Sequence, residues 1–308
     1  MIDSFPIEEN LIGETIESLD SVRKPYSILW DEGKCYVSTK CEYMLEIYDE
    51  KERKITKKLR RGNGLNEWIA PAIMNQKIRR DGHSYICVLE RANMNLYGVD
   101  VEDSCSERIR LADYRKYDIP GIRNVYILPD SSSWGFKDGD NCDVFRCNSK
   151  CSELMEYEIG IDHSLFAYNR AQLSQNLSTY NAKEESVAVV YYAYPLLLIT
   201  KVENPAVVKE IQIDESFPVY DKESSINPNI YMLDICSTDK YIYVLYDDQV
   251  CEDKSSILVF DWNGNAVAKF NTPKMIAFAV DEEHGRFFGL NEDDSEGVCS
   301  VYKYQLHK

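Results

Sequence analysis

Short apolar runs that alternate with polar residues, broken by corners of Gly, Asp, Asn or Lys, recur along this 308-residue chain. Period-two alternation bounded by turn residues predicts strands. The most legible stretch is Ser256 to Asp281. There Ser256 to Asp261 and Ala266 to Asn271 flank Trp262-Asn263-Gly264-Asn265, a corner that tolerates the positive φ of a tight hairpin. Pro273 cannot donate to a ladder, so the chain is expected to leave the sheet there before Met275 to Val280 starts another strand.

The same order of pieces repeats. Tyr26 to Leu59 contains four runs, the third ending in Asp49, and comparable units follow it. A period of about 40 to 50 residues marks a propeller or solenoid. The last unit supplies only three strands, whereas Leu11 to Leu19 is strand-like and precedes the first full unit. Pairing the two closes the array, which leaves only short, protected edges. The expectation is therefore an all-β, six-bladed β-propeller of four-stranded antiparallel blades, closed by the N-terminal strand joining the last blade. It treats 1–308 as a single domain, with the closing strand at about 11–19 and blades at about 25–59, 70–111, 119–159, 166–213, 229–271 and 274–308. Asn169 to Tyr180, with leucines at 173 and 177, could form one short helix, but its polarity favours a surface insertion.

Charge and cysteines narrow the function. With 35 Lys and Arg against 52 Asp and Glu the net charge is −17, which repels polyphosphate and argues against nucleic acid. The most apolar window is broken by Pro195 and falls short of a transmembrane helix. The N-terminal residues lack the basic start and apolar middle of a secretory signal, so the chain as written reads as cytoplasmic, or as periplasmic or cell-envelope if a leader precedes it. Of ten cysteines, Cys35, Cys87, Cys236 and Cys299 lie inside strand-like runs, where thiols pack as small hydrophobes. Cys142, Cys147 and Cys151 cluster without the paired spacing of a zinc site, and the sequence assigns them no role.

Arg61 to Asp100 carries Gly62, Gly64, Glu67, Trp68, Pro71, Gly82 and Asp100. This segment resembles the NHL-type repeat and, more closely, the bacterial TolB-like six-bladed propeller family, whose repeats carry a Gly-x-Gly loop, an acid or amide before an aromatic, a proline, a turn glycine and an aspartate ending the third strand. Leu65 stands where that family often has proline. The resemblance implies the fold; many members of the family are exported or lipid-anchored.

No catalytic signature emerges. The Gly62 to Trp68 loop lacks the Gly-Lys-Ser/Thr of a phosphate loop and the GxGxxG of a dinucleotide site. It reads as a structural link in which Trp68 is buried and Glu67 caps backbone amides. Lys137 to Asp143 has hard oxygen donors but lacks the closing Glu of a calcium loop, so a polar turn is expected. None of His83, His163, His284 and His307 lies in a hydrolase signature.

The links between blades and the loops joining second to third strands should share one face, where Asp214 to Glu223, Asp247 to Lys254 and Asn291 to Gly297 concentrate carboxylates. Asp247, Asp248, Asp293 and Asp294 are the candidate ligand-binding residues there, facing basic peptides or cations. The expected function is a non-catalytic binding or scaffold module, monomeric and without cofactor or resident metal, recognising a protein, peptide or glycan. The alternative is a calcium-dependent lactonase-like hydrolase with its site at the central channel. For that role the inner strands offer Asn75, Arg79, Arg123, Asn124, Asn229 and Asp234, a set poor in carboxylates.

Overall fold

A computed structural model describes residues 4–19, 22–64, 67–102, 108–115, 117, 121–137, 144–215, 217–247, 249, 253–292 and 298–305. Its strands form six antiparallel sheets in succession, the fold of a six-bladed β-propeller. Blade one orders Pro25–Asp31, Lys34–Thr39, Tyr43–Asp49 and Lys54–Arg60. Its first hairpin turns at Glu32-Gly33, with φ of 47° and 79°, and the second blade's first hairpin turns at Asp81-Gly82, with φ of 51° and 84°. Two successive positive φ values match the twist of the flanking strands, and the second residue of each pair is the glycine that meets this at least steric cost.

The chain comprises two compact units. The unit of residues 41–46 and 56–159 holds blade two (Pro71–Arg80, His83–Glu90, Asn95–Asp100, Arg108–Asp113) and blade three (Val125–Ile127, Ser133–Phe136, Val144–Cys147, Leu154–Tyr157). Leu89, Leu96, Ile122 and Phe145 pack there in one core. Cys87, Cys147 and Cys151 join it, and burial pushes the Cys87 thiol up to about 12. The expected packing role of cysteine therefore extends to two of the three clustered ones. Cys142 lies outside the described residues.

The unit of residues 1–40, 47–55 and 160–308 holds blades four to six. Blade four is Asn176–Asn181, Ser186–Tyr191, Leu196–Lys201 and Asn204–Gln212. Blade five is Met232–Ser237, Tyr241–Tyr246, Lys254–Asp261 and Ala266–Pro273. In its last hairpin Gly264 takes the positive φ, at 73°, and the ladder ends at the pair of Lys254 with Pro273. Blade six is Ala277–Asp281, Arg286–Glu292 and Val298–Gln305, joined by Gly13–Thr15 from the other end of the chain. That N-terminal strand is shorter than the pattern suggests, because Glu17–Leu19 winds into a 3-10 turn.

Two features depart from the sequence reading. Ile7–Asn10 adds a fifth, parallel strand to blade five, placing Ile7 opposite Ala268. Asn169 to Tyr180 is neither one helix nor one loop: a helical turn spans Arg170–Leu173, and blade four's first strand starts at Asn176. Among the described residues no helix is long and apolar enough to cross a membrane.

Candidate functional site

In the unit of blades four to six, two irregular segments lie over blades four and five: the link from Ile213 to Tyr231, and residues 160–175. Pro218 and Pro228 keep the link out of the sheet. Side chains fix it instead. Tyr246 donates its hydroxyl to Asp214 Oδ2 at 2.8 Å. Phe217 stacks on buried Tyr194, with centroids 5.4 Å apart, and Tyr220 donates to the Ala193 carbonyl at 3.0 Å. Asp221 Oδ1 accepts from the amides of Glu223 and Ser224 and from the Ser224 hydroxyl. These bonds, those from Ser224 first, hold the Asp221 carboxyl below its ordinary range. At the far end Gln249 Nε2 donates to the Ile230 carbonyl at 2.6 Å, and the Tyr231 amide to Tyr192 at 2.8 Å.

The other segment is equally fixed. Asp162 caps the turn His163–Phe166 through the Ser164 amide, and Phe166 is buried against Tyr191 and Tyr194. Asn169 Nδ2 donates to the Ser225 carbonyl at 2.7 Å, which ties the two segments together.

Held in this way, the pair leaves several apolar side chains exposed. Val219 is 93% exposed, Ile226 66%, and Tyr168 and Ile230 48% each. Tyr168 and Ile226 adjoin the two ends of the Asn169 to Ser225 bond. The same link carries Asp214, Glu215, Asp221 and Glu223 against Lys222 alone between positions 214 and 223, and Glu215, Asp221 and Glu223 are exposed. Single exposed apolar residues are ordinary, but several of them on two tied, anchored segments that also carry exposed carboxylates have the character of a contact surface.

The predicted acidic residues fare differently. Asp247 is buried: its Oδ2 takes the Lys274 ammonium at 2.7 Å and its Oδ1 the Gln249 amide at 3.1 Å. It braces the loop rather than facing solvent. Asp248, Asp293 and Asp294 lie outside the described residues. What the sequence reading missed is the apolar component. Its only trace is a run of apolar residues without alternation inside a Pro- and Ser-containing link.

In the other unit Gly62, Gly64, Glu67, Trp68 and Pro71 form a joint ahead of blade two. Glu67 Oε2 accepts from the Gly64 amide at 2.8 Å, and the Gly62 amide donates to the Trp68 carbonyl at 3.0 Å. A Cβ on Gly62 would stand 2.0 Å from Glu67 Oε2, so glycine lets the glutamate fold back. Trp68 is buried edge-on to Tyr97, with the Arg108 guanidinium 5.2 Å from both ring centres. Pro71 opens the blade's first strand, and buried Glu90 takes the amides of Ile69 and Ala70 at 3.0 and 2.8 Å. Glu90→Ala should cost about 2 to 3 kcal/mol in a urea melt, since it strands two partly buried amides.

Among the inner-strand candidates, Asn75 and Arg79 are exposed on Pro71–Arg80, Arg123 and Asn124 precede Val125–Ile127, and Asn229 precedes blade five. Asp234 is buried, its two oxygens accepting the amides of Ile235 (2.8 Å) and Phe278 (3.0 Å). Of the acids and amide predicted in Lys137 to Asp143, Asp138, Asp140 and Asn141 lie outside the described residues. Among the described residues no three His, Cys, Asp or Glu side chains come together as ligands for a metal ion. An open groove of about 690 Å³ beside the outer strand of blade four holds Lys201, Lys209 and Trp262. Their polar atoms are engaged by the carbonyls of Glu184, Asn263 and Thr238 respectively.

No family model matches the chain, and no curated protein matches it by sequence. Solved structures do match in fold. A luciferin-regenerating enzyme superposes with a TM-score of 0.58 at 9% identity, covering 96% of each chain. The calcium-binding protein regucalcin from Agrobacterium tumefaciens gives 0.53 at 11% identity, covering 98% of this chain and 97% of that one. A gluconolactonase from Xanthomonas campestris gives 0.54 at 11% identity, covering 96% and 90%. At such identities the likeness establishes the six-bladed propeller and nothing about chemistry.

Proposed function

We propose that this chain is a non-catalytic binding module that recognises a protein or peptide through the loops over blades four and five. The observation that carries the reading is the anchored link Ile213 to Tyr231, which displays Val219 almost fully and Ile226 by two thirds to solvent. A flexible loop could hide such side chains; this one is pinned at both ends and in the middle, so the ordering that binding normally requires is largely in place beforehand. Membership of the TolB-like or NHL-like propellers is part of the proposal and is supported by the Gly62, Gly64, Glu67, Trp68 and Pro71 joint.

The second reading is a calcium-dependent lactonase-like hydrolase, and the fold likeness to a gluconolactonase and to a calcium-binding protein favours it. This chain's residues fit that ion poorly. Both oxygens of Asp234, the one carboxylate in the inner-strand set, are already taken by backbone amides, and arginine is no cation ligand.

Thermal melts in chelator and in millimolar Ca²⁺ separate the two readings, because an ion bound only by the folded state raises the midpoint by mass action. The binding reading predicts equal midpoints. A rise of several degrees with calcium would establish a resident cation site and favour the hydrolase.

A further inference from the structure

We infer that the partner segment is a basic, amphipathic peptide, with aliphatic or aromatic side chains meeting Val219 and Ile226 and Lys or Arg side chains meeting the exposed carboxylates of the same link. The inference rests on the proposed binding role and specifies its ligand. Two independent features select this chemistry. Val219, Ile226 and Ile230 are branched aliphatics with no polar atom, so covering them favours an apolar surface. A glycan would leave these methyl groups poorly matched.

The second feature is charge. Asp214, Glu215, Asp221 and Glu223 lie within ten residues of one another, with Lys222 as the only cation among them. Ser224 donates its amide and hydroxyl to the Asp221 carboxylate, and the adjoining segment contributes Asp162, which accepts from the Ser164 amide, and Arg170. An acidic or neutral partner would bring like charges together or desolvate these carboxylates without compensation, whereas a basic one is steered in and paired. A second copy of this chain presents the same acidic surface and is disfavoured on the same ground. Alternating basic and apolar positions on one short segment are what an amphipathic peptide supplies.

A displayed library of random peptides, selected on the immobilised full-length protein, tests the inference. The recovered peptides should combine Lys or Arg with Leu, Ile, Phe or Trp, and should bind more weakly as salt rises. Val219→Asp with Ile226→Asp should weaken them by about tenfold or more, as should Glu215→Lys with Glu223→Lys. All four positions are exposed, so each variant should keep the wild-type melting midpoint, and a variant that does not is replaced by the corresponding Ser or Gln pair.

Peptides that lose binding in the aspartate variant but are acidic or neutral, or that ignore the charge reversal, overturn the basic-partner inference and leave the binding role standing. Peptides indifferent to both variants, or no enriched peptide at all, overturn both. A wild-type dimer in light scattering that the aspartate variant dissolves would assign the surface to a second copy and overturn the inference.

Discussion

Arg286→Ala should lower the unfolding free energy by about 3 to 5 kcal/mol, the usual cost of breaking a buried ion pair from one side. Arg286 is only 8% exposed. Its Nε donates to Asp281 Oδ2 at 2.6 Å, and its two terminal nitrogens donate to the two carboxylate oxygens of Glu50 at 2.7 Å each. The guanidinium also lies 4.9 Å from the ring centre of Trp30, which stacks on Phe288 at 4.3 Å. One side chain thus joins a turn of blade six to a turn of blade one, and its removal strands Asp281, itself 5% exposed.

The carboxylates report the same bond. The hydrogen bond from Arg286 is the main influence holding Glu50 below its ordinary range; at Asp281 burial pushes upward, and the bonds from Arg286 and His284 overcome it. Arg286→Lys should recover only part of the loss, since an ammonium cannot span both acids with a planar fork. Urea midpoints with unchanged slope provide the measurement. A loss under about 1 kcal/mol would mean that the network is solvated like an ordinary surface pair.

The second large effect is a pH dependence set by Asp234. Burial, its largest influence, pushes this carboxyl up from 3.8 to about 7, against two backbone amides that pull it down. The folded chain therefore keeps a proton that the unfolded chain has released. Stability is unaffected by this group below about pH 4, where both states are protonated, and falls as pH rises toward 7, at about 1.4 kcal/mol per unit. By pH 8 the accumulated loss is on the order of 4 kcal/mol.

Asp234→Asn should remove that slope. It sacrifices one of the two amide bonds, about 1 kcal/mol at every pH, so the variant should be slightly less stable than the parent near pH 4 and clearly more stable at pH 8. A difference between the two proteins that does not vary with pH would show that Asp234 is ionised in the fold throughout.

Much of the architecture was legible because it is local. Alternation marks the strands, the glycines at 33, 82 and 264 mark hairpins, and the missing strand of the last unit points to the N-terminus as its partner. Ile7–Asn10 was not legible: its sequence, Ile-Glu-Glu-Asn, has no strand pattern, and its partner at Ala268 lies far along the chain. The start of blade four was blurred because Leu173 and Leu177 have helical spacing, although Leu173 ends a helical turn and Leu177 already belongs to a strand.

The candidate site was read only in part, for a similar reason. Sequence shows that a loop is acidic, which fits the link over blades four and five. It does not show which way a carboxylate points. Asp247 turns inward because Lys274, distant in sequence, meets it. Nor does composition reveal that Phe217 and Tyr220 in the same link are held by Tyr194 and Ala193 while Val219 between them is left outside. Burial of that kind is decided by tertiary anchors, which no local pattern encodes.

A binding role for this surface is tested most directly by affinity recovery from an extract of the source cells, with wild-type protein and Val219→Asp/Ile226→Asp protein of equal melting midpoint on matched matrices. The binding reading predicts at least one partner retained stoichiometrically by the wild type and lost with the double variant. Equal recovery of every retained protein on the two matrices would contradict it.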